Sequence, residues 1–215
     1  MQSLSPIISG IILANLIISF RGYNDLGFFN KFKFNIAAIK NGETYRILSS
    51  AFLHVDWSHL GFNMFTLYLF GPQALAGVGF FNFIILYLVC LTAGNLFALY
   101  FHRDNLYYSA VGASGAIMGI LYATILMVPE MRLSFIFFPI PLPGYVFGIG
   151  YLVYTLFGMK RQKDNIGHTA HFGGGVAGLI ATIAFVTSVV VESGFTLALL
   201  AVTLIVAALL FKKFG

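Results

Sequence analysis

The sequence predicts an all-α, polytopic membrane helix bundle. Three observations carry that expectation. Of 215 residues only 9% are charged and 59% are apolar, whereas a soluble domain carries about 25% charged residues. Mean hydropathy is +0.90. Seven apolar runs of membrane-spanning length follow one another along the chain, each of which must be helical in lipid, where no water satisfies an open backbone. An aromatic content of 17% excludes a disordered chain, and the single cysteine, Cys90, excludes a disulfide-stapled fold.

The runs are Leu4–Phe20, Trp57–Val78, Phe80–Phe101, Ala113–Val128, Leu142–Phe157, Ile166–Val191 and Phe195–Phe211. The first lacks a basic start and a small-residue cleavage site, so a permanent span is expected rather than a signal peptide. The connection from Arg21 to Asp56 is long, charged and aromatic, with Phe28, Phe29, Phe32, Phe34 and Tyr45, and is expected to lie partly in the membrane interface. The second connection, Gly71–Gly79, has no charge, the third is His102–Gly112, the fourth, Pro129–Pro143, is rich in proline, and the fifth is Gly158–Asn165. Net charge is +5 with a pI near 9.4. The basic residues form no stripe and no nucleic-acid motif, so anchoring at lipid headgroups is expected and a nucleic-acid partner is not. Connections one, three and five share one side of the membrane and, with the tail, hold eleven of the twelve Lys and Arg. Charge bias alone would put that side in the cytoplasm.

Polar residues are costly in a span and mark functional sites. Three clusters occur, each at the start of a span that follows an odd connection, and so at similar depth on one side. His59 and Asn63, four apart, share a face of the second span. The fourth span opens with Gly112-Ala113-Ser114-Gly115, and the sixth with His168-Thr169-Ala170-His171 followed by Gly173-Gly174-Gly175. A serine, histidines and an asparagine at one level are the parts of an acyl-transfer site. The pairs Gly115/Gly119 and Gly174/Gly178 have the small-xxx-small spacing that lets helix backbones meet in lipid, and that meeting would bring His171 to Ser114. Read one at a time, a serine in a Gly-rich span is an ordinary packing residue. The pair His168/His171 with His54 and His59 could form a metal site, but no carboxylate or thiol lies within the clusters, so no metal and no cofactor is expected. Cys90 reads as a small buried hydrophobe, His102 as a solvated span end, and His54 as a loop-stabilising residue.

The combination resembles the rhomboid family of intramembrane serine proteases. Gly112-Ala113-Ser114-Gly115 matches its Gly-x-Ser-Gly motif, Ala170-His171-x-x-Gly174-x-x-x-Gly178 its sixth-helix motif, and His59-x-x-x-Asn63 its second-helix motif, in the family's order. The resemblance implies a six-helix catalytic core over residues 1–191, with 192–215 an extra C-terminal span and basic tail. It implies Ser114 as nucleophile and His171 as general base in a dyad, with His59, Asn63, Gly115 and the Ser114 backbone N–H in the oxyanion and binding set. It implies transmembrane protein substrates, cut in a shallow water-filled cavity where a span carries helix-weakening residues. The fifth helix and Gly158–Asn165 would be gate and cap. Family topology puts the site outside the cytoplasm, at a plasma membrane, and is preferred here over charge bias. The other class the resemblance allows is an inactive relative that binds transmembrane helices; such proteins usually lack the serine or histidine, and this chain keeps both. Three departures stand out: Tyr45-Arg46 where the family often has Trp-Arg, Met118 where it often has an aromatic packed on the histidine, and the seventh run.

Overall fold

A computed structural model describes residues 4–135, 138–161 and 167–214. The long helices are α1 (Pro6–Asn24), α5 (Trp57–Val78), α6 (Phe80–Phe101), α7 (Ser114–Met127), α8 (Gly144–Arg161), α9 (His168–Phe185) and α11 (Gly194–Phe214). Short elements join them: α2 (Leu26–Phe32), β1 (Phe34–Asn35), α3 (Ile36–Lys40), α4 (Arg46–Ser49), β2 (Ser109–Ala110), β3 (Arg132–Phe135), β4 (Phe138–Pro143) and α10 (Val189–Glu192). The expected all-α bundle is thus observed, with two short β-pairs in its connections.

Helix α7 is the axis of the bundle. Every residue from Gly115 to Leu126 is buried, and α5, α6 and α9 pack around it. At 14 residues it is about 21 Å long, short of the roughly 30 Å hydrocarbon core. Surrounded by protein, it need not reach either headgroup layer, and its N-terminus lies within the bundle. By length and composition, Pro6–Asn24 and Phe80–Phe101 are each apolar enough to cross a bilayer. Large apolar side chains such as Ile17, Phe62, Phe65, Phe81 and Ile180 point outward from the bundle.

Glycines set the spacing at the centre. A Cβ on Gly174 would overlap the Gly115 carbonyl, and one on Gly178 would overlap the Gly119 backbone. The two glycine pairs seen in the sequence therefore face each other, and α7 and α9 touch through their main chains. On the third side, a Cβ on Gly94 of α6 would meet the Ala170 carbonyl oxygen at 2.6 Å.

The first connection is a folded unit, with α2, β1, α3 and α4 along it. Asp25 caps α2 by accepting from the Phe28 N–H at 2.8 Å, and Asn35 caps α3 through the Ala38 N–H at 2.9 Å. The buried Arg46 guanidinium donates to the carbonyls of Asn30 and Lys33 and to the Glu43 carboxylate. Tyr45 donates to the same carboxylate at 2.7 Å. The Tyr45-Arg46 departure thus serves as the knot of this connection. Antiparallel pairing of β1 with β2, Phe34 opposite Ala110 and Asn35 opposite Ser109, ties it to the segment before Ser114.

Three sequence expectations need correction. The second connection is Gly79 alone, because α5 continues through Gly71–Val78 and α6 starts at Phe80. The sixth run does not continue to Val191: α9 ends at Phe185 and the chain turns into the four-residue α10. Hydropathy stays high across Val186–Val191, so the turn leaves no apolar gap. His102 is not solvated. It is buried, stacked on Tyr108 with ring centroids 3.7 Å apart, and its Nε2 lies 3.2 Å from Thr169 Oγ1. The fourth connection forms the β3–β4 hairpin.

Candidate active site

Gly112 turns the chain into α7 with φ +125°, a conformation that favours glycine. The Gly112 N–H donates to the Ser50 carbonyl at 3.0 Å, anchoring the turn to the first connection. Ser114 follows as the first residue of α7, at the end where backbone N–H groups have no intrahelical acceptor and the helix dipole is positive. Its Oγ lies 2.6 Å from His171 Nε2. His171 stands on the first turn of α9, held at this depth by the main-chain contact of Gly174 with Gly115.

The second-helix pair is placed as follows. Asp56 caps α5 by accepting from the His59 N–H at 2.7 Å. The His59 ring sits over Gly112: a Cβ there would come within 2.9 Å of its Nε2 and 3.7 Å of Ser114 Oγ. His59, Ser114 and His171 therefore border one space. Asn63 is buried one turn deeper, and one proton of its Nδ2 goes to the His59 carbonyl at 2.9 Å. An amide nitrogen has two protons, so a second remains to donate. Gly115, Gly119, Gly174 and Gly178 line the helix contact beneath the site.

Two further histidines have structural surroundings. His54 is fully buried, and its Nδ1 lies 2.9 Å from Ser19 Oγ. The Ser19 proton is given to the Phe52 carbonyl, so His54 Nδ1–H is the donor to Ser19. The ring meets His59 edge-on at 4.9 Å. Burial, and secondarily the nearby His59, pushes the His54 pKa down to about 3, against a smaller upward pull from Asp56. His168 packs edge-on to Tyr154 at 5.2 Å and fills the space left by Gly158. Among the described residues no group of three His, Cys, Asp or Glu side chains converges as a metal site would require.

One contact comes from a residue not singled out in the sequence. Tyr151 of α8 places its Oη 2.9 Å from His171 Nδ1. The rings lie 6.1 Å apart at 32°, so the histidine's aromatic neighbour comes from α8 while Met118 occupies the position in α7. A tyrosine within an apolar run reads as ordinary packing; the pattern Tyr151, Tyr154, Gly158 at intervals of three and four was the available signal. A cavity of about 450 Å³ opens between the first connection and the start of α9, lined by Lys33, His59, Tyr108, Val111, His168 and Thr169 among others; it reaches the candidate site at His59 rather than at Ser114 or His171. The expected cap, Gly158–Asn165, lies in part outside the described residues.

A half-buried serine and a buried histidine thus stand in hydrogen-bond contact at the starts of two glycine-packed helices, with the parts of an acyl-transfer centre. A sequence model of the Rhomboid domain matches residues 41–188, and the chain belongs to the rhomboid family. It is 29% identical over 200 residues to RHOMBOID-like protein 12, mitochondrial, of Arabidopsis thaliana, covering 84% of this chain and 59% of that protein. It is 31% identical to Rhomboid protein 1, mitochondrial, of Saccharomyces cerevisiae, covering 62% and 40%, and 28% identical to Rhomboid protease AarA of Providencia stuartii, covering 79% and 64%. The chain thus spans about 40–64% of the length of these relatives. Rhomboid proteins are membrane-embedded and the family includes proteases, so the outward apolar side chains are lipid-facing. Two of these relatives carry mitochondrial names, and the expected plasma-membrane location finds no support in them.

Proposed function

We propose that this protein is an intramembrane serine endopeptidase that uses Ser114 and His171 as a dyad to cut transmembrane protein substrates. The observation that carries the reading is the 2.6 Å contact between Ser114 Oγ and His171 Nε2, within the range general-base catalysis needs. In the first step Nε2 takes the Oγ proton as Oγ bonds to the scissile carbonyl carbon. Collapse of the tetrahedral intermediate breaks the C–N bond, and the Nε2 proton passes to the departing amine. In the second step water attacks the acyl carbon and gives a proton to Nε2, and that proton returns to Ser114 Oγ as the ester breaks. His59, the free Asn63 amide proton and the Ser114 N–H stabilise the oxyanion in both steps. A substrate helix hides its carbonyls in intrahelical bonds. Substrates therefore carry Gly, Pro or Ser near one end of a span, where fraying costs least.

Residues 1–191 form the catalytic core in this reading, and 192–215 an added helix. That helix packs beside α8, where Phe195 meets Tyr145 edge-on at 5.6 Å. The site opens on the extracytoplasmic face, as the family resemblance implies; cysteine-accessibility mapping of the third and fifth connections is expected to find both on that face. Purified protein in detergent is expected to cleave a labelled single-span substrate, and Ser114→Ala to abolish cleavage. Equal cleavage by the variant would remove the proposal, and failure of the native protein to react with a fluorophosphonate would favour a helix-binding role instead.

A further inference from the structure

We infer that Tyr151 is the positioning residue for His171, making the centre a hydrogen-bonded Ser114–His171–Tyr151 chain drawn from three different helices. The inference rests on the dyad reading above and extends it. To accept the Ser114 proton, Nε2 must be unprotonated, so the neutral ring carries its proton on Nδ1. That Nδ1–H requires an acceptor in a buried, apolar setting. Tyr151 Oη stands at 2.9 Å and has lone pairs to accept it. The opposite arrangement, with Tyr151 donating to Nδ1, would put the ring proton on Nε2 and leave no base for Ser114.

The chemistry favours a phenol here. A carboxylate would satisfy the same N–H but would bring a charge into the bundle, at high cost in lipid. A phenol is neutral, holds the tautomer and the ring plane, and still accepts from Nδ1 once Nε2 has taken the serine proton and the ring is positively charged. No atom of Tyr151 is transferred; it acts through His171.

The placement of Tyr151 is fixed by helix packing. Tyr151, Tyr154 and Gly158 lie on one face of α8, and His168 and His171, one turn apart, lie on the facing side of α9. Tyr154 packs on the His168 ring, and Gly158 leaves room for that ring. Tyr122 of α7 donates to the Gly148 carbonyl at 2.8 Å, holding α8 at the other end of this contact. The position of α8 therefore sets where Tyr151 Oη stands against His171 Nδ1.

The test combines tautomer and rate. In 15N-histidine-labelled protein, with His171→Ala identifying the resonance, wild-type His171 is expected as the Nδ1–H tautomer. Tyr151→Phe, which removes one oxygen and keeps the ring, is expected to shift it to a mixture of tautomers. The same substitution is expected to slow reaction of Ser114 with a fluorophosphonate about tenfold, the size of one lost hydrogen bond, and to lower kcat for a membrane substrate at unchanged KM. An Nε2–H tautomer in the wild type overturns the inference whatever the variant does. So does a Tyr151→Phe protein with unaltered tautomer, or one with unaltered labelling rate. Ser114→Ala run alongside separates the two proposals. If it still cleaves, the dyad reading fails; if it is dead while Tyr151→Phe matches wild type, only the role of Tyr151 fails.

Discussion

His59 and Asn63 differ in how firmly each is tied to the candidate oxyanion site. His59 stands over Gly112 beside Ser114, whereas Asn63 spends one amide proton on the His59 carbonyl. Removing one oxyanion donor typically costs about 10²–10³ in kcat. His59→Ala and Asn63→Ala are each expected to lower kcat by that order with Ser114–fluorophosphonate adducts still formed slowly; full activity in both would exclude them from the oxyanion site. His54 has a pH consequence. The unfolded chain protonates this ring below about pH 6.5, the folded chain only near pH 3. Its contribution to stability is complete above about pH 6.5 and is lost as the pH falls toward 3. The unfolding temperature in detergent is expected to fall between pH 7 and pH 5, and His54→Asn to reduce that fall; an identical fall in both proteins would contradict it. At this scale the sequence reveals residues that belong to a motif. Ser114 lies in hydrogen-bond contact with His171, and His59 stands over the neighbouring Gly112. The burial of His102, against its reading as a solvated span end, and the contact of Tyr151 leave no mark in the sequence, because their partners, Tyr108 and Thr169 in one case and His171 in the other, depend on how distant elements pack.

Glycine packing between α7 and α9 decides where Ser114 and His171 meet. Gly174→Ala would drive a methyl group into the Gly115 main chain, which has no side chain to move aside. Such overpacking typically costs about 1–3 kcal/mol, and here it also pushes His171 from Ser114. A lower unfolding temperature together with lost cleavage is expected; a stable, active Gly174→Ala protein would refute the close contact. The first connection rests on Arg46. Arg46→Ala leaves the Asn30 and Lys33 carbonyls without their donor and frees Glu43, so faster proteolysis between residues 25 and 50 is expected, and unaltered proteolysis would count against the knot. Helix positions were readable because apolar runs must be helical in lipid, and the facing glycines were readable from their spacing. The internal order of the first connection was not read, although its caps Asp25 and Asn35 stand in the sequence. The end of α9 was hidden because Val186–Val191 stays apolar through a turn.

The whole molecule wraps α7 with protein, so the shortest long helix starts inside the bundle, and Ser114 meets His171 at that start. The 450 Å³ cavity between the first connection and α9 meets the candidate site at His59. The added helix α11 reaches α8 and, through Ser193, the end of α7, where the Ser193 hydroxyl donates to the Leu126 carbonyl. Its contacts lie away from Ser114, so removing residues 194–215 is expected to lower stability while leaving fluorophosphonate labelling in place. Complete loss of labelling in a folded truncated protein would place α11 in the catalytic unit. Labelling also tests the central claim most directly. Wild-type protein in detergent, treated with a fluorophosphonate and mapped by peptide mass spectrometry, is expected to carry the adduct on Ser114, and His171→Ala to carry almost none. No adduct on Ser114 in the wild type, or equal labelling without His171, would contradict a serine activated by that histidine.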